Sequence, residues 1–90
     1  MDNQYFLLKA RTIVYNYCTE HFDVTDNFNF SLDDVFIVWF CKTLQNWKAL
    51  VSTTIADGMY YEITYNGDKN EIYLDAYKKW ENIKIDDVKS

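Results

Sequence analysis

The sequence predicts an α+β domain in two layers, with one N-terminal helix packed on a four-stranded antiparallel meander. Three observations predict it. Apolar residues near the start recur at three- and four-residue steps. The rest of the chain holds β-branched and aromatic runs divided by Asp57-Gly58 and Asn66-Gly67, the strongest short hairpin signals. The connections are short, so neighbouring strands run antiparallel. Ninety residues leave room for one core. Residues 1–85 read as a single domain and 86–90 as a frayed tail.

The helix is expected from about Asn3 to His21, with Asp2 as its N-cap. Phe6, Ala10, Ile13, Val14, Tyr17 and Cys18 form its apolar stripe, and Lys9, Arg11, Asn16 and Glu20 lie off it. The following "DVTDNFNFSLDD" is dense in Asp and Asn and reads as a loop. Its "SLDD" also fits a capping box, but the β-branched and aromatic run behind it argues for a strand. Strands are expected at Val35–Leu44, Trp47–Ile55, Met59–Tyr65 and Glu71–Tyr77, with a weaker turn signal at Gln45-Asn46. The segment "KKWENIKI" extends the last strand or adds a short one.

The first strand contains "VFIVWFC", seven apolar residues with no polar alternation. Two-residue loops at the three turns sort the side chains into two faces. One carries Val35, Ile37, Trp39, Cys41, Leu50, Ser52, Thr54, Met59, Tyr61, Ile63, Ile72, Leu74 and Ala76, and is expected to seat the helix. The other carries Phe36, Val38, Phe40, Trp47, Ala49, Val51 and Ile55 over the first two strands, then turns polar. One helix covers one face, so Phe36, Val38, Phe40, Trp47, Val51 and Ile55 are expected to form an interface. Its cover is a second copy related by two-fold symmetry, a different protein, or the Asp23–Asp34 loop folded back through Phe28 and Phe30.

Composition narrows the function classes. The chain is 49% hydrophobic and 19% aromatic, which excludes a disordered chain. With two glycines and no proline it has neither a linker nor a glycine-rich phosphate loop. The net charge is −5, and no Lys or Arg occurs from Thr12 to Cys41, so direct nucleic-acid binding is not expected. Residues 1–41 hold two basic groups against six acidic ones. Asp23, Asp26, Asp33 and Asp34 form a candidate acidic patch for a basic partner. No apolar run approaches the ~18 residues of a membrane span. The N-terminus lacks the basic n-region of a secretory signal. A cytoplasmic location is expected, with Cys18 and Cys41 as free thiols.

Candidate chemistry is sparse. Asp23, Thr25, Asn27, Asn29 and Asp34 faintly match a calcium loop, but Phe28 replaces the turn glycine and Asp34 the closing Glu. Cys18 and His21 lie three apart on one helix, and Cys41 is a conceivable third ligand, yet structural zinc takes four. Cys18 with His21 as base is the conceivable nucleophile pair. Glu62 and Asp75 fall near each other among tyrosines and lysines, as on a solvated sheet. Neither an enzyme, a metal nor a cofactor is expected.

The stretches "VWFCKTLQNWKALVSTT" and "DGMYYEITYNGDKNEIYLDAYKK" resemble a family of small proteins of unknown function encoded by phages and prophages of Gram-positive bacteria. The resemblance runs from "MDNQYF" to the last strand, and "KTLQNWKAL" is its most specific block. It implies a phage gene expressed in a bacterial cytoplasm and assigns no catalytic residue. The function expected is that of a phage accessory protein working by protein–protein contact, as a homodimer or on a host or defence factor. A virion or assembly component is the alternative, and an acidic mimic of nucleic acid the third reading.

Overall fold

The computed structural model describes residues 2–21, 30–55 and 57–87. Helix α1 spans Asn3–His21, as its pattern predicts. The Asp2 carboxylate accepts the Tyr5 N–H at 2.8 Å and so satisfies one of the open donors of the first turn. At the other end, His21 Nδ1 donates to the Tyr17 carbonyl at 2.8 Å. Phe6, Ala10, Val14 and Cys18 are buried along one stripe, with Ile13 and Tyr17 packed beside it.

A short 3-10 turn, Leu32–Asp34, leads into the sheet. Ser31 and Asp34 form the capping box expected of "SLDD", but it opens this single turn and not a longer helix. Asp34 Oδ2 accepts the Ser31 N–H at 2.9 Å. Arg11 reaches from α1 to this junction. Its Nε donates to the Val35 carbonyl and its Nη2 to the Leu32 carbonyl, both at 2.9 Å. A guanidinium is rigid and has donors to spare, so one side chain ties the helix to the start of the sheet.

Four strands follow: β1 Val35–Thr43, β2 Asn46–Thr53, β3 Met59–Asn66 and β4 Glu71–Lys78. They form one open antiparallel sheet in the order β1-β2-β3-β4. Residues 79–87 continue past β4 without regular structure, so "KKWENIKI" adds only Lys78 to the strand.

The face assignment needs correction for β1 and β2, and two features explain it. The first is a bulge. Ile37 pairs with Val51 and Trp39 with Leu50, so Val38 has no opposite number and the strand changes phase. Val35 and Ile37 face the helix as expected. Beyond the bulge Phe40 takes the helix side, while Trp39 and Cys41 turn outward. The second is the β2–β3 connection, which runs over residues 54–58 and so has five residues, not two. An odd loop reverses the alternation. Trp47, Ala49 and Val51 therefore share a face with Tyr61 and Ile63, and Leu50 and Ser52 lie on the other.

The core confirms this arrangement. Phe6 packs on Trp47 with ring centroids 5.1 Å apart, and Trp47 is 3% exposed. Ala10, Val14, Cys18, Val35, Ala49, Val51, Tyr61 and Ile63 complete the buried cluster. Each large side chain buried here contributes about 1.5–3 kcal/mol relative to exposure. Lys42 lies 4.8 Å above the Trp47 ring and closes its outer end.

The turns carry their own constraints. Asp57 Oδ1 accepts the Met59 N–H at 3.0 Å, and Gly58 adopts φ +71°, which an Asp-Gly pair accommodates readily. The β1–β2 turn falls on Leu44-Gln45, one residue earlier than expected, and leaves Leu44 at φ 57°. The β3–β4 turn packs against it, where the Gly67 N–H donates to Asn46 Oδ1 at 3.2 Å. A Cβ on Gly67 would lie 2.2 Å from the Gln45 carbonyl oxygen. Gly67→Ala is therefore expected to cost about 1–3 kcal/mol, read as a lower urea midpoint at unchanged slope.

Candidate functional site

The outer face of the sheet, opposite α1, is the surface with the most unassigned chemistry. β1 contributes Phe36, Trp39 and Cys41, and β2 contributes Leu50 and Lys48. β3 and β4 contribute Tyr60, Glu62, Tyr73, Asp75 and Tyr77. Trp39, Leu50, Glu62 and Asp75 form one row across the four strands. The row passes from apolar to acidic between β2 and β3. Lys48 marks the border by pairing with Glu62 at 3.2 Å. This pair is partly exposed and contributes little to stability.

Phe36 is 45% exposed and Trp39 44%, and Val38 in the bulge is as open as Phe36. An aromatic on a well-covered sheet face is normally buried, so Phe36 and Trp39, with half-buried Leu50 beside them and exposed Val38 in the bulge between, make an apolar strip along β1, an edge strand among the described residues. The residues expected to form the interface divide on this geometry. Phe36 and Val38 belong to the strip. Trp47 and Val51 are core residues under α1. Phe40 is on the helix side, stacked on Trp47 at 6.5 Å and 39% exposed at the rim. Ile55 lies in the β2–β3 loop, half-buried, with its N–H bonded to Thr53 Oγ1 at 3.2 Å. Trp39 and Leu50 were assigned to the wrong face by the sequence pattern. The available signal was Lys48: of the two alternating sets in β2, Trp47, Ala49 and Val51 is wholly apolar, and the other includes a lysine.

The remaining candidates do not converge. Asp23 and Asp26 lie outside the described residues, as do most of the calcium-like positions. Asp34 is occupied as a cap, and Asp33 is exposed. Phe30 stacks on Tyr15 of α1 at 5.4 Å, on the helix side and away from the outer face, and Phe28 lies outside the described residues. Cys18 and Cys41 sit on opposite sides of the sheet, one buried and one exposed. His21 stacks on Tyr17 at 4.0 Å and does not address Cys18. Among the described residues no three His, Cys, Asp or Glu side chains are placed to hold a metal ion. Nor is any helix among them long and apolar enough to cross a membrane.

Cys18 has a different partner. Its thiol donates to the Tyr61 hydroxyl at 3.5 Å inside the core. Burial pushes both groups above their ordinary values, and Asp57 nearby raises both further. Charging either one beneath α1 requires desolvating an anion.

The sequence pattern of DUF6275, a family of unknown function, matches residues 7–87. The chain belongs to this family. No curated protein and no solved structure matches it. The DUF6275 match spans the helix from Leu7 on, all four strands and the segment after β4, so the outer face and that segment both lie within the family's region.

Two predictions concern the buried pair. In the folded DUF6275 protein a water-soluble disulfide reagent is expected to modify Cys41 alone, with Cys18 reacting only after unfolding. Folded-state pKa values raised above the unfolded ones stabilise below the unfolded values and lose that contribution as pH rises. The ordinary values are 9.0 for the thiol and 10.0 for the phenol. The urea midpoint is therefore expected to hold up to about pH 9 and to fall increasingly above pH 10. Tyr61→Phe should flatten the fall above pH 10.

Proposed function

We propose that this DUF6275 protein is a phage or prophage accessory protein. On this reading it acts in the bacterial cytoplasm by protein–protein contact, as a homodimer, through the outer face of β1 and β2. The observation that carries this reading is the exposure of Phe36 and Trp39 on the face opposite the only described long helix, with half-buried Leu50 beside them and exposed Val38 in the bulge between. Such side chains leave on the order of 400 Å² of apolar surface in water, at the upper end of what a soluble monomer's largest patch shows. Covering it contributes on the order of 10 kcal/mol gross per chain at ~25 cal/mol per Å². A second copy is the commonest cover for such a patch. The phage setting is supported by the resemblance of the "KTLQNWKAL" block, and the contact role by the exposed Phe36 and Trp39.

Sedimentation equilibrium across the micromolar range tests this reading. The wild-type chain is expected to behave as a dimer, and Phe36→Ser with Trp39→Glu as a monomer with an unchanged helix and sheet signal by circular dichroism. A wild-type chain that stays monomeric up to about 100 μM, with Trp39→Glu leaving its size and solubility unaltered, would overturn the proposal.

A further inference from the structure

A second exposed apolar element occurs among the described residues. After Lys79, whose N–H donates to the Gly58 carbonyl at 2.7 Å, the backbone leaves the sheet. Trp80 beyond it is 95% exposed, Ile85 86% and Ile83 64%. A tryptophan this bare is unusual on a soluble chain. Residues 79–87 have no regular structure, so no strand alternation separates Trp80 from Ile83 and Ile85.

We infer that residues Trp80–Ile85 of one copy dock on the outer-face strip of Phe36, Val38, Trp39 and Leu50 of a second copy, in reciprocal exchange. The inference rests on the homodimer reading above and names the element that completes its interface. The areas favour it. Two outer-face strips pressed together bury on the order of 800 Å², the level of a lattice contact and below the ~1,200–2,000 Å² of specific interfaces. Trp80, Ile83 and Ile85 add on the order of 450 Å² per chain. A reciprocal exchange then buries on the order of 1,700 Å², within the range of a stable dimer.

The geometry favours a partner's segment over the chain's own. The segment leaves from β4, and the strip lies on β1 at the opposite edge of the sheet. Between them the outer face carries Glu62, Asp75, Tyr73 and Tyr77, a polar path for three apolar side chains. The bulge at Val38 interrupts regular pairing along the free edge of β1, so the segment is held by side-chain burial and not by adding a regular strand.

Sedimentation equilibrium of the full chain and two variants tests the exchange. The tail variant is Trp80→Ser, Ile83→Ser and Ile85→Ser, at positions that touch nothing in the core. The face variant is Phe36→Ser and Trp39→Ser. Each is expected to raise the dimer dissociation constant at least about 100-fold. An equimolar mixture of the two is expected to form a heterodimer of intermediate affinity, since one intact tail meets one intact face. If the tail variant dimerises like the wild type while the face variant does not, the exchange is wrong and the outer-face dimer stands. If the full chain is monomeric and Trp80 is shielded from acrylamide quenching, the segment sits on its own chain and the exchange is wrong. If the full chain is monomeric and Trp80 is freely quenched, both the exchange and the homodimer fall.

Discussion

The contact of Phe6 with Trp47 is the constraint on which the rest of the structure depends. A domain of this size has one core, and its one long described helix can shield one side of a sheet. Whichever face of β2 meets that helix decides the facing of every strand joined to it. Trp47 is the largest side chain in β2, and with Ala49 and Val51 it makes an uninterrupted apolar row. Placing that row under the Phe6–Cys18 stripe buries it and leaves Lys48 in water. The opposite facing would bury a lysine and expose a tryptophan. Charge burial is the more expensive error, so this choice outweighs the turn preferences.

Two local irregularities follow from that choice. β3 must turn Tyr61 and Ile63 inward, and a two-residue turn at Asp57-Gly58 would have paired them with the lysine-bearing row. The five-residue connection corrects the phase, and the side chains of Thr53 and Asp57 bond its backbone. In β1 both Val35 and Phe40 contribute to the helix side, although an even strand would set them on opposite faces. The bulge at Val38 absorbs the extra residue. It also twists the free edge, a common guard against indiscriminate pairing.

The functional reading is what remains after the core is satisfied. A strand apolar on both sides has one side too many for a two-layer domain. The surplus in "VFIVWFC" emerges as Phe36 and Trp39 on the outer face with Val38 exposed in the bulge, and a second surplus emerges after β4 as Trp80, Ile83 and Ile85. Neither belongs to the buried cluster among the described residues. Both are costly to leave in water, and the proposed joining across two copies would remove both costs together.

The sequence by itself determined the elements and their order. The Asp2 cap, the four-residue spacing of Phe6, Ala10, Val14 and Cys18, and the alternating strands are local signals carried by neighbouring residues. It also determined that one face of the sheet would keep an apolar surplus over β1 and β2, because that follows from counting. Only the tertiary structure decided which residues form the surplus. Facing has a period of two, so a single bulged residue or one odd loop exchanges Trp39 and Leu50 for Trp47 and Val51. Within an all-apolar run no polar residue marks the phase. The choice was settled by residues distant in the chain, where Phe6 and Val14 of the helix could bury only one of the two rows.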